Sequence, residues 1–214
     1  SLVASYSGDP IYKPANSNVL KQVVQQYTTS TVLGSSLNPS TYGQSVTLTA
    51  NVSSSGPTPT GNVTFKKGSA WLGSAPLNGG VATITLSSLS AGSSTITASY
   101  GGDTTSAKST SPPLTQVVEK ATSTTAIVSS KNPSMVGKAV TFTATVTSPT
   151  TKPTGSVTFM DGSTVLGTGT LGGLGKAHFS TSTLSAGSHN ITAVYVGNAN
   201  VSGSTSPTLI QIVK

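Results

Sequence analysis

The sequence predicts an all-β chain carrying two tandem β-sandwiches of about seven antiparallel strands each. Three observations predict it. Long segments recur at a fixed spacing, apolar and polar residues alternate inside each recurrence, and turn-forming pairs separate the alternating runs.

The recurrence comes first because it sets the unit. Asn38-Pro39-Ser40 returns as Asn132-Pro133-Ser134, and Pro59-Thr60-Gly61-Asn62-Val63-Thr64-Phe65 as Pro153-Thr154-Gly155-Ser156-Val157-Thr158-Phe159, both 94 residues on. Leu89-Ser90-Ala91-Gly92-Ser93 returns as Leu184-Ser185-Ala186-Gly187-Ser188, 95 residues on. The register defines two homologous domains, 28–119 and 120–214. They open on Thr29-Ser30-Thr31 and Thr122-Ser123-Thr124.

Inside each domain the apolar period is two. Val46, Leu48, Ala50 and Val52 alternate with Thr47, Thr49 and Asn51, and Val140, Phe142, Ala144 and Val146 repeat the pattern. Such alternation marks a strand with one face on a core and the other in water. Val63 and Phe65 predict the next strand, then Ala82, Ile84 and Leu86, then Ile96, Ala98 and Tyr100. Leu114, Val117 and Val118 predict the last, where adjacent valines break the alternation and point to a bulge or to burial on both faces. Gly56-Pro57, Lys67-Gly68, Asn78-Gly79-Gly80, Ala91-Gly92 and Gly101-Gly102 supply the turns.

These residues resemble the bacterial Ig-like repeat family, found in tandem in large secreted and surface proteins. The resemblance rests on the Thr-Ser-Thr openings, Val46-Thr47-Leu48-Thr49-Ala50, Gly61-x-Val63-x-Phe65, and Leu89-x-x-Gly92 followed by Ile96-Thr97-Ala98-x-Tyr100. It covers nearly the whole chain. It implies tandem immunoglobulin-like β-sandwiches and, by the family's habit, a place in adhesins or beside the catalytic parts of secreted hydrolases. The paired cysteines and core Trp of antibody domains are missing, since the chain has no Cys and its lone Trp71 aligns with Val165.

The opening residues fit the same register. Ala4 and Tyr6 align with Ala98 and Tyr100, and Leu20, Val23 and Val24 with Leu114, Val117 and Val118. Residues 1–27 therefore read as the last two strands of a preceding Ig-like repeat, incomplete in its first five. An isolated strand pair is marginal in water, so support from a longer array is expected, or else from an adjacent chain as in a fibre.

Charge and chemistry narrow the function. The formal charge of +7 comes from eleven lysines without an arginine, scattered except for Lys66-Lys67. Arg is the residue that grips phosphate and guanine bidentately, so nucleic acid is not an expected partner. No run of apolar residues is long enough to cross a membrane as a helix. The first residues lack a signal peptide's pattern, so secretion calls for a longer precursor.

The four acids, Asp9, Asp103, Glu119 and Asp161, are dispersed, and calcium sites gather several carboxylates. Asp9 and Asp103 share one repeat position, where the next copy has Asn198, which favours a turn former over a metal ligand. His178 and His189 face Thr83 and Ser94 in the other repeat, so no nucleophile–His–acid set recurs. No catalytic, metal or cofactor-binding residue is assigned. A Lys–Asn isopeptide crosslink is not expected either, because the predicted inward positions are apolar and acids are scarce.

Sugar sites need exposed aromatic faces. Trp71, Tyr12 and Tyr42 are the candidate glycan contacts, with Tyr27 also available, though each is unmatched in the other repeat. The expected function is thus a non-catalytic extracellular module, a semi-rigid stalk or spacer in a longer Ig-like array of a bacterial surface, adhesin-like or fibre-forming protein. The alternative is a carbohydrate-binding accessory module of a secreted hydrolase. Expected partners are neighbouring repeats of the same or adjacent chains, and surface glycans. Glu119-Lys120-Ala121 leaves almost no linker, which favours the semi-rigid form.

Overall fold

A computed structural model describes residues 1–214, all of them in strands, turns and loops. A hairpin pairs β1 (Ser5–Tyr6) with β2 (Ala15–Asn16). The first domain follows as β3 (Thr29–Ser35), β4 (Ser40–Thr41), β5 (Val46–Ser54), β6 (Asn62–Lys67), β7 (Ala70–Pro76), β8 (Val81–Leu86), β9 (Gly92–Tyr100), β10 (Ser109–Thr110) and β11 (Leu114–Glu119). The second repeats it as β12 (Thr124–Ser129), β13 (Val140–Thr147), β14 (Ser156–Asp161), β15 (Thr164–Thr170), β16 (Lys176–Thr181), β17 (Gly187–Gly197), β18 (Ser202–Thr205) and β19 (Leu209–Val213).

Each domain is two sheets face to face. In the first, β3-β5-β8 covers β4-β11-β9-β6-β7, with β10 also on β9; in the second, β12-β13-β16 covers β15-β14-β17, with β18 and β19 on β17. The period-two pattern decides which side chains meet. Val46, Leu48, Ala50 and Val52 point from β5 at Val63, Phe65, Ile96, Ala98 and Tyr100 from the other sheet, all buried in one cluster. Phe142, Phe159, Ile191 and Tyr195 anchor the second cluster, where Phe159 stacks on Phe179 at 5.7 Å between ring centres. Full burial of each such Val, Leu, Ile or Phe contributes about 1.5–3 kcal/mol. Thr and Ser take the outward positions, where Thr47 and Thr85 bond across strands at 3.0 Å.

The last strand differs from its sequence reading. β11 runs beside β9 without a bulge, from Leu114 opposite Ile96 to Val118 opposite Gly92. The alternation is unbroken, but its middle inward residue is polar. Gln116 is fully buried between Leu114 and Val118, while Val117 points outward. The inward positions are therefore not all apolar, and β19 repeats the exception with the buried Gln211.

These glutamines hold the crossing from one sheet to the other. The chain leaves β3, turns through Leu37-Asn38-Pro39 and lays β4 parallel to the end of β11. The turn's own residues are exposed, but side chains from both sheets bond its backbone and tie it to the end of β11. The Ser35 hydroxyl donates to Gln116 Oε1 at 2.6 Å, and Gln116 Nε2 donates to the carbonyls of Leu37 at 2.8 Å and Val117 at 3.1 Å. Asn38 acts as a substitute strand: its Nδ2 donates to the Thr115 carbonyl at 2.7 Å, and its Oδ1 accepts the Val117 N–H at 2.9 Å. The second domain copies both devices. Ser129 donates to Gln211 at 2.6 Å, Gln211 to the Lys131 carbonyl at 3.0 Å, and Asn132 brackets Ile210 and Ile212 at 2.7 and 2.9 Å. The recurrence of Asn-Pro-Ser in the sequence is the trace of this crossing, and both Asn–Pro peptide bonds are cis.

The Thr-Ser-Thr openings, by contrast, do not superpose. Thr29 donates to the Ala107 carbonyl at 2.7 Å, and the residue making the matching bond in the second domain is Ser123, to the Ser202 carbonyl at 2.6 Å. Thr31 and Thr125 then correspond, each bonded to a serine of the opposite sheet, Ser109 and Ser204, at 2.7 Å. The shared triplet is offset by one residue, and the hydroxyl stapling β3 to β10 sets the true register.

The hairpin reproduces that register bond for bond. Tyr6 faces Ala15 and Leu2 faces Leu20, as Tyr100 faces Ser109 and Ile96 faces Leu114. The Ala4 N–H donates to Ser17 Oγ at 3.0 Å, matching Ala98 to Ser111 at 3.1 Å and Ala193 to Ser206 at 3.0 Å. What differs is cover. Leu2, Tyr6 and Val24 are 61%, 45% and 87% exposed, whereas Ile96, Tyr100 and Val118 are 0%, 2% and 3% exposed.

Candidate functional site

The polar chemistry of this chain concentrates in one turn, between the last two long strands of each repeat, and in the domain junction that the turn builds. In the first domain Asp103 organises it. Asp103 Oδ1 accepts the N–H groups of Thr105 at 2.8 Å and Ser106 at 2.6 Å, and Oδ2 accepts the Thr60 N–H at 2.9 Å. The hydroxyls of Thr60 and Thr105 add further bonds at 3.0 and 3.1 Å. Both oxygens thus face hydrogens, the reverse of what a cation needs. Asp9 makes the hairpin's version with the N–H groups of Ile11 and Tyr12, at 2.8 and 2.7 Å, and the Tyr6 hydroxyl at 2.7 Å. Asn198 makes the second domain's, accepting from Asn200 and Val201 at 2.8 and 2.9 Å while its Nδ2 donates to Thr154 Oγ1 at 3.2 Å. Asp and Asn serve here as turn formers, each bonding its own backbone.

These bonds set the acid behaviour of Asp103. The Thr60 N–H first, then those of Thr105 and Ser106, hold its carboxyl far below the ordinary carboxylate range. A depressed folded-state value stabilises the fold above the unfolded value of 3.8, and the benefit disappears as pH falls through the folded one. Asp103→Asn is therefore expected to flatten the loss of first-domain stability between neutral pH and about pH 3. Urea midpoints followed by Trp71 fluorescence at the two pH values check this; an unchanged pH dependence in the variant refutes it.

The same turn receives the chain as it enters each domain. The Ala121 N–H donates to the Asn200 carbonyl at 2.9 Å, and the Ser202 N–H to the Ala121 carbonyl at 2.8 Å. Ala121 is buried in the second core, so the linker itself is part of that domain. Tyr27 makes the matching pair with Thr105 and Ala107, at 2.8 and 2.9 Å. Its ring, too large for the alanine's place, lies over Gly56, where a Cβ would collide with it.

Two further bonds join the two domains directly. The Ala91 N–H donates to Asn200 Oδ1 at 3.0 Å and the Thr150 hydroxyl to the Tyr42 carbonyl at 2.6 Å, while Lys120 Nζ, at the start of the second domain, donates to the Asn198 carbonyl at 2.8 Å. Gly43, at φ +88°, lies against the Thr150 backbone, which leaves no space for a side chain. An open cleft of about 340 Å³ runs beside these contacts, lined by Tyr42, Lys152, Thr154 and Asn198 among others.

The aromatic candidates are dispersed. Tyr42 is half-buried against the second core at the junction, Trp71 stands exposed on the edge strand β7, and Tyr12 is exposed in the hairpin loop. Tyr42 alone of the three lines a cavity. His178 bonds Thr143 at 3.0 Å on the outer face of the second domain. His189 meets Asp161 at 2.6 Å, a pair the sequence conceals because 28 residues separate its members. The one available clue is that β14 and β17 are neighbours, which brings the end of one beside the start of the other. No three His, Cys, Asp or Glu residues cluster within reach of one metal ion, and no helix is long and apolar enough to cross a membrane.

Comparison with known proteins gives similar solved structures and a family match. Among solved structures, the fibronectin(III)-like modules of Clostridium thermocellum CbhA share 18% identity, cover 86% of this chain and 94% of their own, and give a TM-score of 0.39. The Escherichia coli adhesin FdeC shares 16% identity over 94% of this chain and 69% of its own, with a TM-score of 0.35. The D0-D1 domain of Intimin shares 21% identity over 87% and 97%, with a TM-score of 0.33. No curated protein matches the chain. A family profile described as bacterial Ig-like domain (group 3) matches residues 33–119 and again 127–214. Two adjoining matches over most of the length, on two sandwiches with one topology, show that the chain belongs to the bacterial Ig-like domain (group 3) family.

Proposed function

We propose that this chain is a non-catalytic extracellular spacer, a semi-rigid segment of a longer Ig-like array at a bacterial surface. The observation that carries the reading is the junction. Its linker residue Ala121 is buried in the second core, and two side chains of the second domain, Asn200 and Thr150, bond backbone groups of the first across the boundary. A flexible tether would keep its linker solvated and its domains apart. Here, reorienting the domains breaks hydrogen bonds worth about 1 kcal/mol each net and strips Tyr42 of its packing. The dense cores and the turns that organise backbone rather than ligands fit a part whose task is to hold distance.

Solution scattering tests the reading. The native chain is expected to give an extended pair with a narrow spread of interdomain distances. Removing two junction side chains together, Thr150→Ala with Asn200→Ala, is expected to broaden that spread while both domains remain folded by circular dichroism. A compact, folded-back native pair, or a spread indifferent to the double change, refutes the semi-rigid spacer.

The hairpin belongs to the same reading. Its identical register, its Ala4–Ser17 bonds and its Asp9 turn support reading residues 1–27 as the closing strands of another repeat of the array. The array then continues through Tyr27 as it does through Ala121.

A further inference from the structure

His189 sits at the start of β17 on the strand's inward side, at the end of the second core, with 11% of its side chain exposed. Its two ring nitrogens each face an acceptor. Nδ1 lies 2.6 Å from Asp161 Oδ2, and Nε2 lies 3.0 Å from the Ser185 carbonyl oxygen. A neutral imidazole has one N–H and one lone pair, so it satisfies one of these acceptors and turns a lone pair on the other. The doubly protonated ring satisfies both. Asp161 is fixed from a second side by the Asn190 N–H, which donates to its Oδ1 at 3.1 Å.

We propose that His189, Asp161 and the Ser185 carbonyl form a pH-sensitive latch on the turn Leu184–Gly187, closed by the imidazolium and released when the ring loses one proton. Asp161 is the one charged group coupled to the ring. From β19, the residue opposite is the neutral Gln211, and the turn itself offers backbone. The first domain has no such latch, since Lys67 and Ser94 stand at these two positions.

The location gives the latch a consequence. The matching turn of the first domain, Leu89–Gly92, makes a junction bond through the Ala91 N–H to Asn200. The latched turn is thus the second domain's copy of a docking element, and Ala186 is its copy of Ala91. Protonation of His189 fixes that element, and deprotonation frees it.

The direction follows from the contacts. The Ser185 carbonyl first, then Asp161, raise the ring's affinity for its proton above the ordinary value of 6.5, against a smaller opposing effect of burial. A raised folded-state value means that the latch's stabilisation is fully present below about pH 6.5 and is lost as pH rises through the folded value. The latch therefore closes in mildly acidic surroundings and opens in alkaline ones.

Nuclear magnetic resonance of the full chain tests this. The ring ¹⁵N shifts of His189 are expected to show both nitrogens protonated at pH 5, with a titration midpoint above 6.5. The Ser185 carbonyl ¹³C shift is expected to follow the same curve. Asp161→Asn removes the charge at nearly constant shape and is expected to move both midpoints down together. His189→Gln, as a second variant, is expected to make the Ser185 shift independent of pH. A Ser185 shift that stays flat while His189 titrates, or a His189 midpoint at or below 6.5, overturns the proposal.

Discussion

Replacing Gln116 by Leu is expected to cost the first domain about 2–5 kcal/mol and to leave the second domain untouched. The two side chains are of similar size, so the loss is chiefly polar. Gln116 Oε1 is the acceptor for the Ser35 hydroxyl, and its Nε2 supplies the Leu37 and Val117 carbonyls. With leucine in place these part-buried groups lose their partners, at about 1–3 kcal/mol for each that cannot turn to water. Because the glutamine also anchors the crossing from β3 to β4, the loss spreads to the parallel pairing of β4 with β11. The measurement is unusually selective, since the chain's one Trp lies in the first domain. Urea unfolding followed by Trp71 fluorescence should show a midpoint lower by about 1–3 M at an m-value near 2 kcal/mol/M. Gln211→Leu is the mirror experiment and should leave the Trp71 transition in place. Equal stability of Gln116→Leu and the native protein would show that the buried amide is dispensable.

That glutamine also marks where the sequence stopped being legible. The strands themselves were readable because a half-buried strand writes its burial into every second residue, as from Val46 to Val52. The turns were readable because Gly and Asn mark backbone conformations that other residues avoid. Gln116 was not readable. Its inward place looks like a fault in an apolar pattern, so the adjacent valines suggest a bulge or two-sided burial, although Val117 faces out. Its reason for being polar lies in the Leu37 carbonyl, 79 residues away in sequence. The internal repeat could have shown it, because Gln211 keeps the same residue type on the matching strand. The Thr-Ser-Thr openings show the opposite failure, an identity of letters one residue out of structural register.

The junction and the latch were hidden for a related reason. Charge and turn chemistry identified Asp9, Asp103 and Asn198 as turn formers, since each bonds backbone within three residues of itself. Nothing local indicates that Asn200 receives Ala91 from another domain, or that Asp161 meets His189. Pairings between separate loops depend on the three-dimensional closeness of strand ends. Sequence exposes such ends one at a time.

Placing a second copy of residues 28–94 directly ahead of Ser1 is expected to convert the exposed hairpin into a third folded domain. The join is in register, because Ser1 is the counterpart of Thr95 and Leu2 that of Ile96. The added segment supplies strands equivalent to β3 through β8, whose Val46, Leu48 and Ala50 cover Ile96, Ala98 and Tyr100 in the native first domain. The hairpin presents Leu2, Ala4 and Tyr6 on the same face and in the same pairing, so the copied sheet has a matching surface to close on. Gln22, the counterpart of Gln116, should complete the crossing to the copied Leu37. Burial should take the hairpin from a marginal two-stranded piece to a domain with stability of about 5–15 kcal/mol. Amide exchange by residues 1–24 is the direct measure, and protection of Leu2, Ala4 and Tyr6 should rise by about three or more orders of magnitude. The two native domains, unchanged in sequence, serve as internal standards. If the copied segment stays unfolded beside an unprotected hairpin, residues 1–27 are not the closing strands of a repeat. Should they fold together, the exposed apolar face of the hairpin is identified by what covers it.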